Sequence, residues 1–152
     1  MNDSSIKHKL LDSCRLYVEQ RISTAREAMS VAQAAANEED KSSAGDKYET
    51  GRAMMHIERE KAAEQLDVSL KLKMALDQIS LESAHEQISV GCVAITSAFK
   101  SFIAFGPGKI KIDNDEYFIV TPGAPLGKLL LGLKVGQEFT FNNSPHTVLK
   151  IF

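Results

Sequence analysis

A polar island, Ser42-Ser43-Ala44-Gly45-Asp46-Lys47-Tyr48-Glu49-Thr50-Gly51-Arg52, separates two long helix-forming stretches. From about Ile6 to Asn37 the chain has no glycine or proline, and alanine accumulates toward the end. Leu11, Cys14, Val18, Ala25, Ala28, Ala32 and Ala35 follow three- and four-residue steps, interrupted only at Arg21 beside Ile22. That spacing predicts one apolar helix face, of the kind a two-stranded antiparallel pair needs. The change from large residues to alanine predicts close approach near the bend. At 1.5 Å per residue the arm is expected to be roughly 45 Å long.

Serines and Gly45 favour a turn over 38–46. The second helix is expected to start near Asp46 or Lys47 and run to about His85. Its apolar side is assigned to Ala53, Ile57, Ala63, Leu66, Leu70, Met74, Leu76 and Ile79. Gly51 is a weak point, costing about 1 kcal/mol of helix propensity relative to alanine.

Beyond about residue 87 the chain changes character. Val90–Thr96, Ser101–Phe105, Gly108–Ile112 and Glu116–Val120 read as strands, with a turn at Asp113-Asn114-Asp115. A short helix is expected over Leu126–Leu133. Gln137–Phe141 and Thr147–Phe152 then form a hairpin across Asn142-Asn143-Ser144-Pro145. The fold class is therefore α+β: a helical hairpin over 1–87 with an acidic tip near 38–52, then a small antiparallel β domain with a short helix over 88–152.

Charge narrows the function classes. Residues 1–89 hold 12 Lys/Arg against 16 Asp/Glu, and residues 90–152 hold 6 against 4. Such mild asymmetry gives no dense basic stripe for direct nucleic-acid binding. The N-terminal segment has no apolar signal core, and no run reaches the roughly 18 apolar residues of a membrane span. A cytoplasmic location is expected. Cys14 and Cys92 read as buried thiols.

Asp46 and Glu49 stand three residues apart at a helix start, on one side of its first turn. They can cap the helix, or they can share a hard divalent cation whose remaining ligands come from a partner. Glu38, Glu39 and Asp40, answered by Lys41, Lys47 and Arg52, read as a solvated turn or as a surface that orients the tip. His8, His56, His85 and His146 are scattered, and the His56/Glu60 pair lacks a third ligand at metal spacing. Gly123-Ala124-Pro125-Leu126-Gly127-Lys128 fails as a phosphate loop, with three residues between glycines where four are needed and Leu129 in the Ser/Thr place. Phe99, Phe102 and Phe105 read as core. The small sheet offers no evident aromatic-lined pocket, so nothing supports prolyl isomerase activity.

Two stretches resemble the bacterial transcript-cleavage factors of the Gre type. The family's tip, Gly-Asp-Leu-Ser-Glu-Asn-Ala-Glu-Tyr, is similar to Gly45-Asp46-Lys47-Tyr48-Glu49-Thr50-Gly51-Arg52-Ala53. The family pattern Ser-Pro-Leu-Gly-(Arg/Lys)-Ala-Leu-Leu-Gly-Lys-Lys-Val-Gly-Asp is similar to the run from Ala124 to Gln137, and Val148-Leu149-Lys150-Ile151 looks like the family's closing strand. The resemblance covers essentially the whole chain. It implies a coiled coil that enters the secondary channel of RNA polymerase and an FKBP-like domain that docks at the channel rim.

In that frame Asp46 and Glu49 are the catalytic acids, helping to hold a Mg²⁺ ion that exists only within the polymerase complex. Gly45, Lys47 and Arg52 support the tip, and Pro125, Leu126, Gly127 and Lys128 are docking candidates. The implied partners are RNA polymerase and, through it, the nascent RNA 3′ end. No membrane and no small-molecule substrate are implied, and the protein alone would be no enzyme.

The chain departs from the family pattern. Thr50-Gly51-Arg52-Ala53 replaces Asn-Ala-Glu-Tyr, and the basic positions that contact backtracked RNA fall on Ser42 and Ile57. Arg52 and Arg59 are the nearby substitutes. Three readings stay open: stimulation of transcript cleavage, non-cleaving regulation from the same channel, and a coiled-coil adaptor or chaperone-like role outside transcription.

Overall fold

The computed structural model describes residues 2–41, 45–82 and 85–152, with backbone alone for 39–41 and 45–49. Helix α1 spans Asp3–Lys41 and α2 spans Gly45–Asp77. The expected turn over 38–46 is thus largely helical. Glu38, Glu39 and Lys41 are competent helix formers and continue α1. At the other end α2 stops at Asp77 rather than near His85, where the Ile79 N–H closes a tight turn on the Leu76 carbonyl at 3.1 Å.

The chain divides into two compact units, Val18–Lys73 and Met1–Tyr17 with Met74–Phe152. In the first, α1 and α2 form an antiparallel coiled coil. Lys73 pairs with Glu19 at 2.9 Å, and Arg59 donates to the Gln33 side chain at 2.6 Å. Fourteen residues forward on α1 are therefore matched by fourteen residues back on α2. Val18, Ile22, Ala25, Ala32 and Ala36 fill the seam from α1, with Ala62 and Ser69 from α2. Val18, Ala25 and Ala32 repeat at seven residues, as do Ala62 and Ser69, the spacing that keeps a seam on one face of a supercoiled pair. The Ser69 hydroxyl donates to the Gln65 carbonyl at 2.8 Å, so the buried polar group is satisfied.

This register corrects the expected apolar faces. Ala28 is exposed and Ala35 half-buried, whereas Ile22 and Ala36 are buried. On α2, Ala53, Ile57, Leu70 and Met74 are exposed, Ala63 and Leu66 are half-buried, and Leu76 is buried. The seam uses small residues, so hydrophobic size does not mark the buried face of α2.

The second unit is built on a six-stranded sheet of β1 Val93–Thr96, β2 Lys100–Ile103, β3 Lys109–Ile112, β4 Asp115–Val120, β5 Glu138–Phe141 and β6 Ser144–Ile151. Helix α3, Pro125–Leu130, is inserted between β4 and β5. The strand order is β3-β4-β2-β1-β6-β5. This is an open, mixed, FKBP-like sheet. Its pairings are antiparallel except β2–β4, where Lys100 faces Tyr117 and Ile103 faces Val120 in parallel. The chain leaves β2 for the edge strand β3 and returns beside β2 in the same direction.

Two tight turns set the strand registers. Asn142 and Asn143 both adopt positive φ, 52° and 62°, as a two-residue hairpin turn requires. The β5–β6 loop is therefore shorter than expected, and Pro145 lies within β6, opposite Thr140. Asp113, at φ 55°, serves the β3–β4 turn in the same way. Ile88, Cys92, Ala94, Ile103, Val120, Leu130, Phe139 and Val148 form the core on the α3 side, and Val93 and Phe102 are fully buried on the opposite face. The early turns of α1 belong to this unit. Asp3 pairs with Lys150 of β6 at 2.8 Å, and Gly106 lies so close to Cys14 that a Cβ would fall 2.8 Å from its sulfur.

Both cysteines are free and buried, and burial pushes the Cys14 thiol up to about 12 and the Cys92 thiol upward. The thiolate is the nucleophile, so neither should react with a thiol reagent at pH 8 in the native protein. Both should react after denaturation, in a colorimetric thiol titration. His85 bonds to the Ser89 hydroxyl at 2.7 Å, and its Nε2 has no partner among the described residues. Burial, with Lys7 adding to it, lowers the His85 pKa from 6.5. Below pH 6.5 the unfolded chain then binds more protons than the native one, so stability falls as pH drops through that region. Urea midpoints should decline from pH 7 to pH 5, and His85→Gln should flatten that decline.

Candidate functional site: the start of α2 and helix α3

Helix α2 begins at Gly45, which places Asp46, Lys47 and Glu49 within its first turns. Their three-residue separation sets Asp46 and Glu49 on one side of the helix, and the partial positive charge of a helix N-terminus favours carboxylates there. The side chains of residues 45–49 and the whole of Ser42 lie outside the described residues. The tip acids are therefore assigned by sequence and helical position alone.

The neighbouring turns of α2 are described. Arg52 is exposed, and Gly51 is half-buried. Ile57 presents an aliphatic side chain to solvent at 62% exposure, and Met54 does the same at 58%. Arg59, one of the two substitute cations, reaches across to Gln33, whose amide in turn donates to Asn37 at 3.0 Å. Among the described residues no group of three or more His, Cys, Asp and Glu side chains is placed to hold a metal ion.

The second expected site occupies α3. Ala124 caps the helix with an extended backbone, and Pro125 takes the first helical position, where its missing N–H costs nothing. Leu126 packs partly against the core, while Pro125 and Lys128 are exposed. Gly127 is buried for a steric reason: a Cβ there would stand 2.0 Å from the Thr121 carbonyl oxygen. The Pro-Leu-Gly-Lys run is thus an exposed proline and lysine held in place by a leucine anchor and a glycine contact. Gly127→Ala should cost about 2 kcal/mol or more by forcing backbone apart, read as a lower urea midpoint. An exposed change such as Lys128→Ala should leave that midpoint nearly unmoved.

One feature was missed in the sequence. The sheet does carry an aromatic pocket, of about 500 Å³, lined by Phe99, Phe118, Leu126, Phe141, Asn142, Ser144 and His146. Phe99 meets Phe118 edge to face at 6.1 Å and His146 at 5.7 Å. Of the three phenylalanines read as core, Phe102 is fully buried, Phe105 is half-buried, and Phe99 forms a wall of this pocket. The rings come from four separate segments, so no local spacing announces them. The available signal was the pair of alternate aromatic residues on β5, Phe139 and Phe141.

No family model matches the chain, and no curated protein matches it. Among solved structures it is similar to one described as "Structure of the transcription factor Gfh1", with a TM-score of 0.38 and 19% identity over 91% of this chain and 93% of that one. No helix of the described residues is long and apolar enough to cross a membrane.

Proposed function

We propose that this chain regulates RNA polymerase from the secondary channel without stimulating transcript cleavage. Its coiled coil enters the channel, and its FKBP-like domain docks at the rim through Pro125–Lys128. The tip motif, the Ala124–Gln137 run and the order of coiled coil then β domain support the polymerase as partner. Ile57 carries the choice against cleavage. An exposed aliphatic side chain occupies a position where the resemblance calls for a cation on the RNA, and it cannot neutralise a phosphate. Arg59, the nearest described substitute, is bonded to Gln33.

In this reading Asp46 and Glu49 act as anions in the channel, and position 57 offers the backtracked RNA no cation. A second reading, cleavage stimulation, is favoured by one observation: Gly45, Asp46 and Glu49 fall on the family's glycine and two acids. There the acids would help hold a second Mg²⁺ beside the polymerase's own and orient the attacking water. The protein alone would hydrolyse no RNA in either case.

The test uses backtracked elongation complexes of the matching polymerase. The wild-type protein should bind and alter pausing or initiation while leaving transcript length unchanged. Ile57→Arg should bind equally and bring cleavage above background. Wild-type cleavage that disappears in Asp46→Ala and Glu49→Ala would establish the second reading instead. Absence of binding would remove both and leave the adaptor role.

A further inference from the structure

We infer that the aromatic pocket of the β domain is a binding site for a small, uncharged, ring-shaped molecule that also carries polar groups. The volume, about 500 Å³, lies within the range that holds small ligands. No charged side chain lines it among the described residues. Lys109 sits 5.4 Å over the Phe118 ring and is paired with Glu116 at 3.3 Å, so its charge is compensated locally. A charged ligand would lose its hydration and gain no counter-charge.

Three polar side chains share the lining with the aromatic ones. Asn142, Ser144 and His146 come from the β5–β6 turn and the first residues of β6, whereas Phe99, Phe118, Leu126 and Phe141 make the rest of the wall. A ligand that fits carries a ring together with donors or acceptors for these three side chains. The wall is also built in advance. Phe99 and Phe118 stand at 86°, Phe99 and Phe139 at 71°, and His146 tilts against Phe139 at 5.3 Å. Phe99 and His146 are held between ring neighbours, so they have little side-chain freedom to lose on binding. A ligand ring can extend the same edge-to-face pattern. Phe118, 37% exposed beside the half-buried Phe99, Leu126 and Phe141, is the surface such a ring would cover.

The site is one of binding, without assigned chemistry, and its test involves no polymerase. Benzamide is the probe, with benzoate and benzylamine as charged counterparts of the same shape, each titrated into the full-length protein and followed by NMR. Benzamide should shift the resonances of Phe99, Phe118, Phe141 and His146, with a dissociation constant of about 1 mM, ordinary for so small a ligand. The charged counterparts should bind at least tenfold more weakly. Phe118→Ala removes a wall, and Ser144→Trp fills the space from an exposed position without touching the core. Each should weaken benzamide at least tenfold while the amide spectrum of β1 and β6 stays native. Equal binding of all three probes, shifts confined to other surfaces, or benzamide binding unchanged in a folded variant would overturn the assignment. The two variants are independent, so a folding failure in one leaves the other decisive.

Discussion

The coiled coil depends on a seam of small side chains. Ala25, Ala32 and Ala36 from α1 lie in the same buried seam as Ala62 and Ser69 from α2, and small residues let two backbones approach closely. Each buried methyl contributes only about 0.8 kcal/mol, so no single contact holds the pair. Stability is spread along the helices, which is why the hairpin is long. The same economy leaves Met54, Ile57 and Met74 outside. A cross-pair hydrogen bond such as Arg59–Gln33 adds register more than stability, because exposed polar pairs contribute little.

The β domain is organised by close backbone approach. Gly127 must lie against the Thr121 carbonyl for α3 to follow β4 so directly. That approach seats Leu130 in the core and Leu126 at its edge, on the wall of the aromatic pocket. The paired positive φ angles of Asn142 and Asn143 bring β6 back over β5, which places Ser144 and His146 in the pocket lining. The pocket therefore follows from a glycine contact and a tight turn. Its phenylalanines fill a frame the backbone has already made.

The fold class was legible because it rests on signals that survive without tertiary detail. Long glycine- and proline-free runs predict helices, and β-branched clusters separated by Asp-Asn and Asn-Asn turns predict short strands. The α2 face was not legible. Ile57 and Met74 are more hydrophobic than Ala62 and Ser69, yet the smaller residues are buried, because the limit in the seam is space. The end of α2 was misplaced because the segment after Asp77 has helix-compatible residues, yet the chain turns there with Ile79 bonded back to Leu76. At the candidate site, the Pro-Leu-Gly-Lys element could be read from sequence, whereas the aromatic pocket could not, since its rings converge only once four segments have folded. The tip acids remain a reading of spacing at a helix start.

Acids at a tip are a weak discriminator between cleavage and regulation, because a carboxylate at a helix N-terminus is favoured for its own electrostatic reasons. The cation is the sharper criterion. Holding an RNA 3′ end near a metal requires neutralising phosphate charge, and that work falls to arginine or lysine side chains directed at the strand. The helix dipole gives no reason to keep such a cation beyond the first turn of α2, so a cation at the matching position 57 would be informative. At that position this chain carries Ile57, and nearby Arg59 is bonded to Gln33 across the helix pair. On that balance regulation is the reading the residues support better.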